Sequence, residues 1–204
     1  LGARLVPFAG WEMPIQYSSI LTEARAVRAT AGIFDVSHMG RVEITGSEAA
    51  RFLHRLVTAD VVNMPLGRAR YTLICNESGS IIDDTIVYRL EEERFLLVPN
   101  AANTDEMLGW LNQWKDRWVI RVELRVLTEE TALIAVQGPR AEEILQPVCS
   151  MDLASVRPFR CTEGQVSDVP AIVCRTGYTG EDGFEIILPA GDAPPTWLGF
   201  QERG

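Results

Sequence analysis

Two adjacent aspartates, Asp83 and Asp84, interrupt an otherwise apolar run, IIDDTIVYRL. In a strand, successive side chains point to opposite faces, so these carboxylates cannot act together on one ligand. One face carries Ile82, Asp84, Ile86 and Tyr88, and the other Ile81, Asp83, Thr85 and Val87. Whichever face is buried holds a carboxylate, and burying an unpaired charge is costly. A structural aspartate would accept backbone N–H bonds or pair with an arginine; a functional one would serve a ligand. Pattern alone leaves both open.

The segment RTGYTGEDGFE places Gly177, Gly180 and Gly183 at three-residue spacing around Tyr178. It leads from a strand into another strand, so it lacks the strand-to-helix context of a phosphate-binding glycine loop. Glycines there permit positive φ and close approach to a flat ligand, on which Tyr178 can stack. Glu185 follows in a strand, where a carboxylate can accept two parallel N–H donors. A plain glycine-rich hairpin with an exposed tyrosine fits the same residues. In VPNAAN, Asn103 serves as a helix cap, while Asn100 has no such duty and an amide that both donates and accepts.

Other chemistries find little support. The cysteines Cys75, Cys149, Cys161 and Cys174 form no Cys-x-x-Cys pair, and only His38 and His54 could join them at a metal. Three of the four lie in or beside apolar runs, as reduced core cysteines do, so no metal and a reducing, cytoplasmic setting are expected. His38 reads equally well as a turn residue that binds nothing. Lys115 is the one lysine beside 18 arginines, and its polar surroundings do not desolvate it for Schiff-base chemistry. A net charge of -9 without any basic run argues against nucleic acid. No apolar stretch approaches the ~20 residues that cross a bilayer, so no membrane span is expected.

The elements that must position these residues follow from periodicity and turn chemistry. Ser18 and Ser19 cap a helix running to about Ala31, and Ser47 caps a second with Ala49, Phe52, Leu53 and Leu56 on one face. RYTLIC, IIDDTIVYRL and FLLVP read as strands, followed by a helix capped by Asn103 with Glu106 and continued by Trp110, Leu111 and Trp114. VELRVL and TALIAV are strands, Gly138-Pro139 opens a helix, and AIVCR and FEIIL flank TGYTGEDG. The expected fold is α+β, with mostly antiparallel sheets and packed helices. Residues 1–120 form one region, and 121–204 form a split βαβ, ferredoxin-like unit.

Six stretches, LGARLVPFAGWEMPIQY, GIFDVSHMG, IIDDTIVY, VPNAAN, ALIAVQGP and RTGYTGEDGFE, occur in family order from residue 1 to about 188. Together they resemble the aminomethyltransferase family, in particular its glycine cleavage T-protein branch. The resemblance implies tetrahydrofolate as cosubstrate, bound in a central cavity without a metal. It also implies lipoylated H-protein as partner, carrying the aminomethyl group that yields methylenetetrahydrofolate and ammonia. Asp84 then matches the aspartate beside the reacting folate nitrogens, and Glu185 the carboxylate on the pterin's amino-amide edge. Met39, Tyr71, Tyr88 and Tyr178 match residues lining the pterin pocket, and Val98 and Asn100 their neighbours on a strand edge. Tyr71, Asp84, Tyr88, Asn100, Tyr178 and Glu185 are therefore expected to converge.

Family members run longer, with a C-terminal β-rich barrel domain and further arginines for folate's tail. The resemblance thus implies that this barrel is absent here, that the split βαβ unit is truncated, and that the start is clipped. Related folate enzymes that demethylate sarcosine, dimethylglycine or sulfonium substrates share the scaffold, and a non-catalytic folate-binding fragment is a further alternative. Iron–sulfur assembly relatives carry a lysine-glycine-cysteine-tyrosine loop where this chain has RTGYTGE.

Overall fold

In the computed structural model, which describes residues 2–204, the chain opens with a hairpin of β1 (Arg4–Phe8) and β2 (Trp11–Gln16). Leu1, where the family resemblance starts, lies outside the described residues. The turn residues Ala9 and Gly10 both have positive φ, 48° and 84°, as a two-residue hairpin of matching twist requires. Pro7 and Pro14 conceal these strands from pattern reading, because proline lacks the ladder donor. In a two-stranded sheet both strands are edges, where proline is tolerated.

Helix α1 (Ile20–Ala29) is capped by Ser19, whose hydroxyl accepts the Thr22 N–H, while Glu23 accepts from the N–H groups of Tyr17, Ser18 and Ser19. The helix ends two residues before the expected Ala31, and Gly32 opens β3 (Gly32–Asp35). After β4 (Val42–Thr45), α2 (Ala49–Leu56) buries Ala49, Phe52, Leu53 and Leu56, the face expected from their spacing. Each of its larger side chains contributes roughly 1.5–3 kcal/mol by leaving water. Glu48, not Ser47, takes the N-cap position, and its carboxylate accepts the Arg121 N–H instead of capping.

Three strands follow, β5 (Ala69–Cys75), β6 (Ile81–Arg89) and β7 (Arg94–Val98), and then α3 (Thr104–Trp118) and β8 (Glu123–Val126). The remaining elements are β9 (Thr131–Gln137), α4 (Ala141–Leu145), β10 (Cys161–Val166), β11 (Val169–Cys174), β12 (Gly183–Pro189) and α5 (Ala193–Gln201). The polar edge strand β10 (CTEGQV) has no apolar stripe to announce it.

Two compact units interleave along the chain. One comprises residues up to His38, Thr131–Pro158 and Thr162–Gly204, with a sheet in the order β10–β11–β12–β9–β3. The other comprises Met39–Glu130 and Phe159–Cys161, with a sheet in the order β5–β6–β7–β4–β8. The units therefore change at 38/39, 130/131, 158/159 and 161/162, and not at 120/121. The strand expected to open the 121–204 region pairs instead with β4 (Val42↔Val126, Thr45↔Glu123), and β3 crosses to β9 (Gly32↔Gln137, Asp35↔Ile134). Both pairings join segments distant in sequence, which order along the chain does not encode. The expected antiparallel character holds, with β9 antiparallel to both β12 and β3.

Each sheet has two distinct faces. In the second unit, Val42, Ile44, Ile74, Val87, Phe95 and Leu97 pack with Phe52 and Leu53 of α2 and Met107 and Leu111 of α3. In the first, Ile134, Val136, Phe184, Ile186 and Leu188 pack with Leu145 of α4 and Phe200 of α5. The candidate residues lie on the opposite faces.

Candidate functional site

Strand β6 divides its two aspartates as alternation requires. Asp83 is 1% exposed and ends among amides. Asn100 donates its backbone N–H to Oδ2 at 3.0 Å and its side-chain amide to Oδ1 at 2.9 Å, and Asn103 Nδ2 donates to Oδ1 at 2.7 Å. Asp83 is thus the structural aspartate, satisfied by N–H donors as a buried charge must be. Asn103 occupies the N-cap of α3, yet its side chain makes no cap bond, so the expected pairing with Glu106 is replaced by this tie to β6.

Asp84 is exposed, and each carboxylate oxygen is held. Oδ2 accepts from the Tyr71 hydroxyl at 3.1 Å, and Oδ1 accepts from Asn100 Nδ2 at 3.1 Å. The hydrogen bond to this carboxylate holds the Tyr71 pKa above its ordinary value, with desolvation and the charges of Asp84 and Asp83 adding to the effect. Asn100 also donates to the Asp84 carbonyl at 2.8 Å, so one amide nitrogen bridges both aspartates. The duty that sequence reasoning denied Asn100 is this bridge.

Register shows which residues share the Asp84 face. Tyr71 pairs with Ile86, which pairs with Val98; Ala69 pairs with Tyr88, which pairs with Leu96; Leu73 pairs with Asp84. Directly paired residues point to the same side of a sheet. Ile86, Tyr88, Leu96 and Val98 are buried, whereas Tyr71 is 57% exposed beside Asp84. The Asp84 face of the sheet is thus apolar and covered along Ile86, Tyr88, Leu96 and Val98, and only its end, with Tyr71 and the held carboxylate, is open. Met39 is buried just before β4, where Gly40 donates its N–H to the Pro99 carbonyl beyond β7. At Gly40 a Cβ would stand 2.5 Å from Pro99 Cγ, so this close approach requires glycine.

The second unit thus holds Met39, Tyr71, Asp84, Tyr88, Val98 and Asn100, while Tyr178 and Glu185 belong to the first. Glu185 is 4% exposed on β12, opposite Ala135 of β9, and Thr176 donates its hydroxyl to Oε2. Tyr178 is 62% exposed in the loop between β11 and β12. The loop's glycines answer to the protein's own packing: a Cβ at Gly177 would stand 2.0 Å from Gln137 Oε1, one at Gly183 would stand 2.4 Å from the Val136 carbonyl, and Gly180 has φ +76°. Sequence reasoning missed Gln137 and Thr176. Glycines at 177 and 183 were the signal, since each makes room for a neighbour.

Residues 1–204 match the GCVT N-terminal domain family. An aminomethyltransferase from Symbiobacterium thermophilum is 48% identical over 208 residues, covering 100% of this chain and 56% of that protein. The crystal structure of glycine cleavage system aminomethyltransferase T from Bartonella henselae gives a TM-score of 0.89 at 35% identity, covering 98% of this chain and 53% of that one. A heterotetrameric sarcosine oxidase from Corynebacterium sp. U-96 gives a TM-score of 0.62 at 19% identity, covering 90% of this chain and 89% of that one, a likeness of fold alone. The chain spans about half the length of the curated relatives it matches. By the match along its whole length, this chain belongs to the GCVT N-terminal domain family.

Proposed function

We propose that the chain is the folate-binding, catalytic portion of a glycine cleavage aminomethyltransferase, moving an aminomethyl carbon from the lipoyl arm of H-protein to tetrahydrofolate. The observation that carries this reading is the exposed Asp84 carboxylate, held on both oxygens by Tyr71 and Asn100 at the end of an apolar sheet face. A flat heterocycle with N–H donors suits such an anion beside an exposed aromatic ring. In this reading Met39, Tyr88, Val98 and Tyr178 contact the pterin, and Glu185 accepts from its amino-amide edge.

Asp84 orients a folate nitrogen, accepts its proton as the nitrogen bonds to the aminomethyl carbon, and stabilises the cationic character that develops as ammonia leaves. Two N–H bonds of tetrahydrofolate break, as do the C–S and C–N bonds of the donor. Two N–C bonds form, the two protons end on sulfur and on ammonia, and no net oxidation occurs. The thiol product needs a reducing compartment, and the cytoplasm fits a chain whose four cysteines are free.

Asp84→Asn tests the assignment, because it is nearly isosteric yet cannot take the proton. Tetrahydrofolate affinity should stay close to wild type while turnover with aminomethylated H-protein falls by about 10²–10⁴. Full turnover would remove Asp84 from the chemistry.

A further inference from the structure

Gln137, the last residue of β9, is 1% exposed and engages both ends of the loop that joins β11 to β12. Its Nε2 donates to the Thr176 carbonyl at 3.1 Å and to the Phe184 carbonyl at 3.4 Å. Its Oε1 accepts from the Thr179 hydroxyl at 3.0 Å, and that hydroxyl in turn accepts the Glu181 N–H at 3.2 Å. The next residue continues the attachment, Gly138 donating its N–H to the Asp182 carbonyl at 2.7 Å.

The space for this amide is made by glycine. Gln137 pairs directly with Gly183, where a Cβ would stand 2.8 Å from Nε2, and the Gly177 Cβ position is the one that would overlap Oε1. Glu185 pairs with Ala135, two residues before Gln137, so Glu185 and Gln137 lie on one face of the sheet. Thr176 links them: its carbonyl accepts from Gln137, and its hydroxyl donates to Glu185. A buried amide with directional partners has one low-energy pose, because each unmade bond leaves a desolvated polar group.

We propose that Gln137 is a positioning residue: its amide fixes the 177–182 loop and, through Thr176, sets the Glu185 carboxylate and Tyr178 for the ligand. The ligand part of this inference rests on the folate reading above; the loop part does not. Gln137 touches no ligand in this role, and acts only through the loop and Thr176.

The test compares three variants of this chain at a temperature where all are folded, using backbone hydrogen exchange and tetrahydrofolate titration. Gln137→Met keeps the volume but removes the amide, and Gly177→Ala displaces the amide without deleting it. Both should speed exchange at residues 177–184 at least tenfold, leave β5 and β6 unchanged, and weaken tetrahydrofolate at least tenfold. Thr176→Val removes the hydroxyl on Glu185 but spares the backbone carbonyl that Gln137 holds. It should weaken tetrahydrofolate without loosening the loop. A structural role alone would lower the unfolding midpoint and leave the affinity of folded protein unchanged, so a loosened loop with wild-type affinity overturns the positioning role. If wild-type chain takes up no tetrahydrofolate, the folate reading fails. Exchange then decides, and unchanged loop protection in Gln137→Met overturns the inference.

Discussion

Asp83 and Asp84 are neighbours in sequence with opposite fates. Asp83 turns inward, and a backbone N–H and two amides saturate it; Asp84 turns outward and is held by a tyrosine hydroxyl and one amide. Both accept from the same Asn100 nitrogen. The inner carboxylate fixes the asparagine that aims the outer one, so under the proposed function the pair separates support from chemistry within one dipeptide. Glu185 offers a third arrangement, a carboxylate buried on its strand and approached by the hydroxyl of Thr176. Exposure suits the proton exchange proposed for Asp84, and enclosure suits the anchoring proposed for Glu185.

The largest effect on stability is expected at the inner carboxylate. Asp83→Ala strands the Asn100 N–H and the two amides, and should cost about 2–4 kcal/mol in denaturant unfolding. The same change at Asp84 should stay within about 0.5 kcal/mol, as for other exposed positions. Equal losses at both would erase the division. Next comes the anchor: Glu185→Gln weakens a charged acceptor and should cost tetrahydrofolate affinity on the order of 1.5–3 kcal/mol, with turnover at saturation retained.

Much of this was readable in advance, and what was missed has identifiable causes. The α2 face and the alternation through β6 followed from periodicity, and Ser19 capped α1 as its type requires. Choosing between Asp83 and Asp84 needed the family resemblance, since either face of an isolated strand can be the buried one. The unit boundaries were hidden because β8 joins β4 and β3 joins β9 across long sequence separations. The glycines of RTGYTGEDG fit either close approach to a ligand or a plain hairpin by pattern, and in the structure Gly177 and Gly183 make room for Gln137 and β9. Asn103 was assigned the common task of its residue type and performs another, which no local pattern announces.

Smaller effects sharpen the contrast between the two units. Val119 ends α3 at φ 50° while 87% exposed, a left-handed conformation that favours glycine. Val119→Gly should therefore raise stability by about 0.5–1 kcal/mol without altering tetrahydrofolate affinity. In the other unit, the hydrogen bond from Arg175 holds the Asp182 carboxyl below its ordinary pKa. A lowered folded-state pKa gives stability that is present above the unfolded value and lost as pH falls through the folded one. Protection of the 177–182 loop should thus decline below about pH 4, by only about 0.2–1 kcal/mol because Asp182 is half exposed. An Arg175→Gln variant should show the weaker protection already at neutral pH.

The most direct test follows the carboxyl carbons of Asp83, Asp84 and Glu185 by ¹³C NMR while tetrahydrofolate is added to saturation. The Asp84 and Glu185 resonances should move with a common binding curve, and Asp83, screened by its three donors, should stay in place. Movement of Asp83 with Asp84 unchanged, or no movement in any of the three, would contradict the assignment of Asp84 as the carboxylate that meets the substrate.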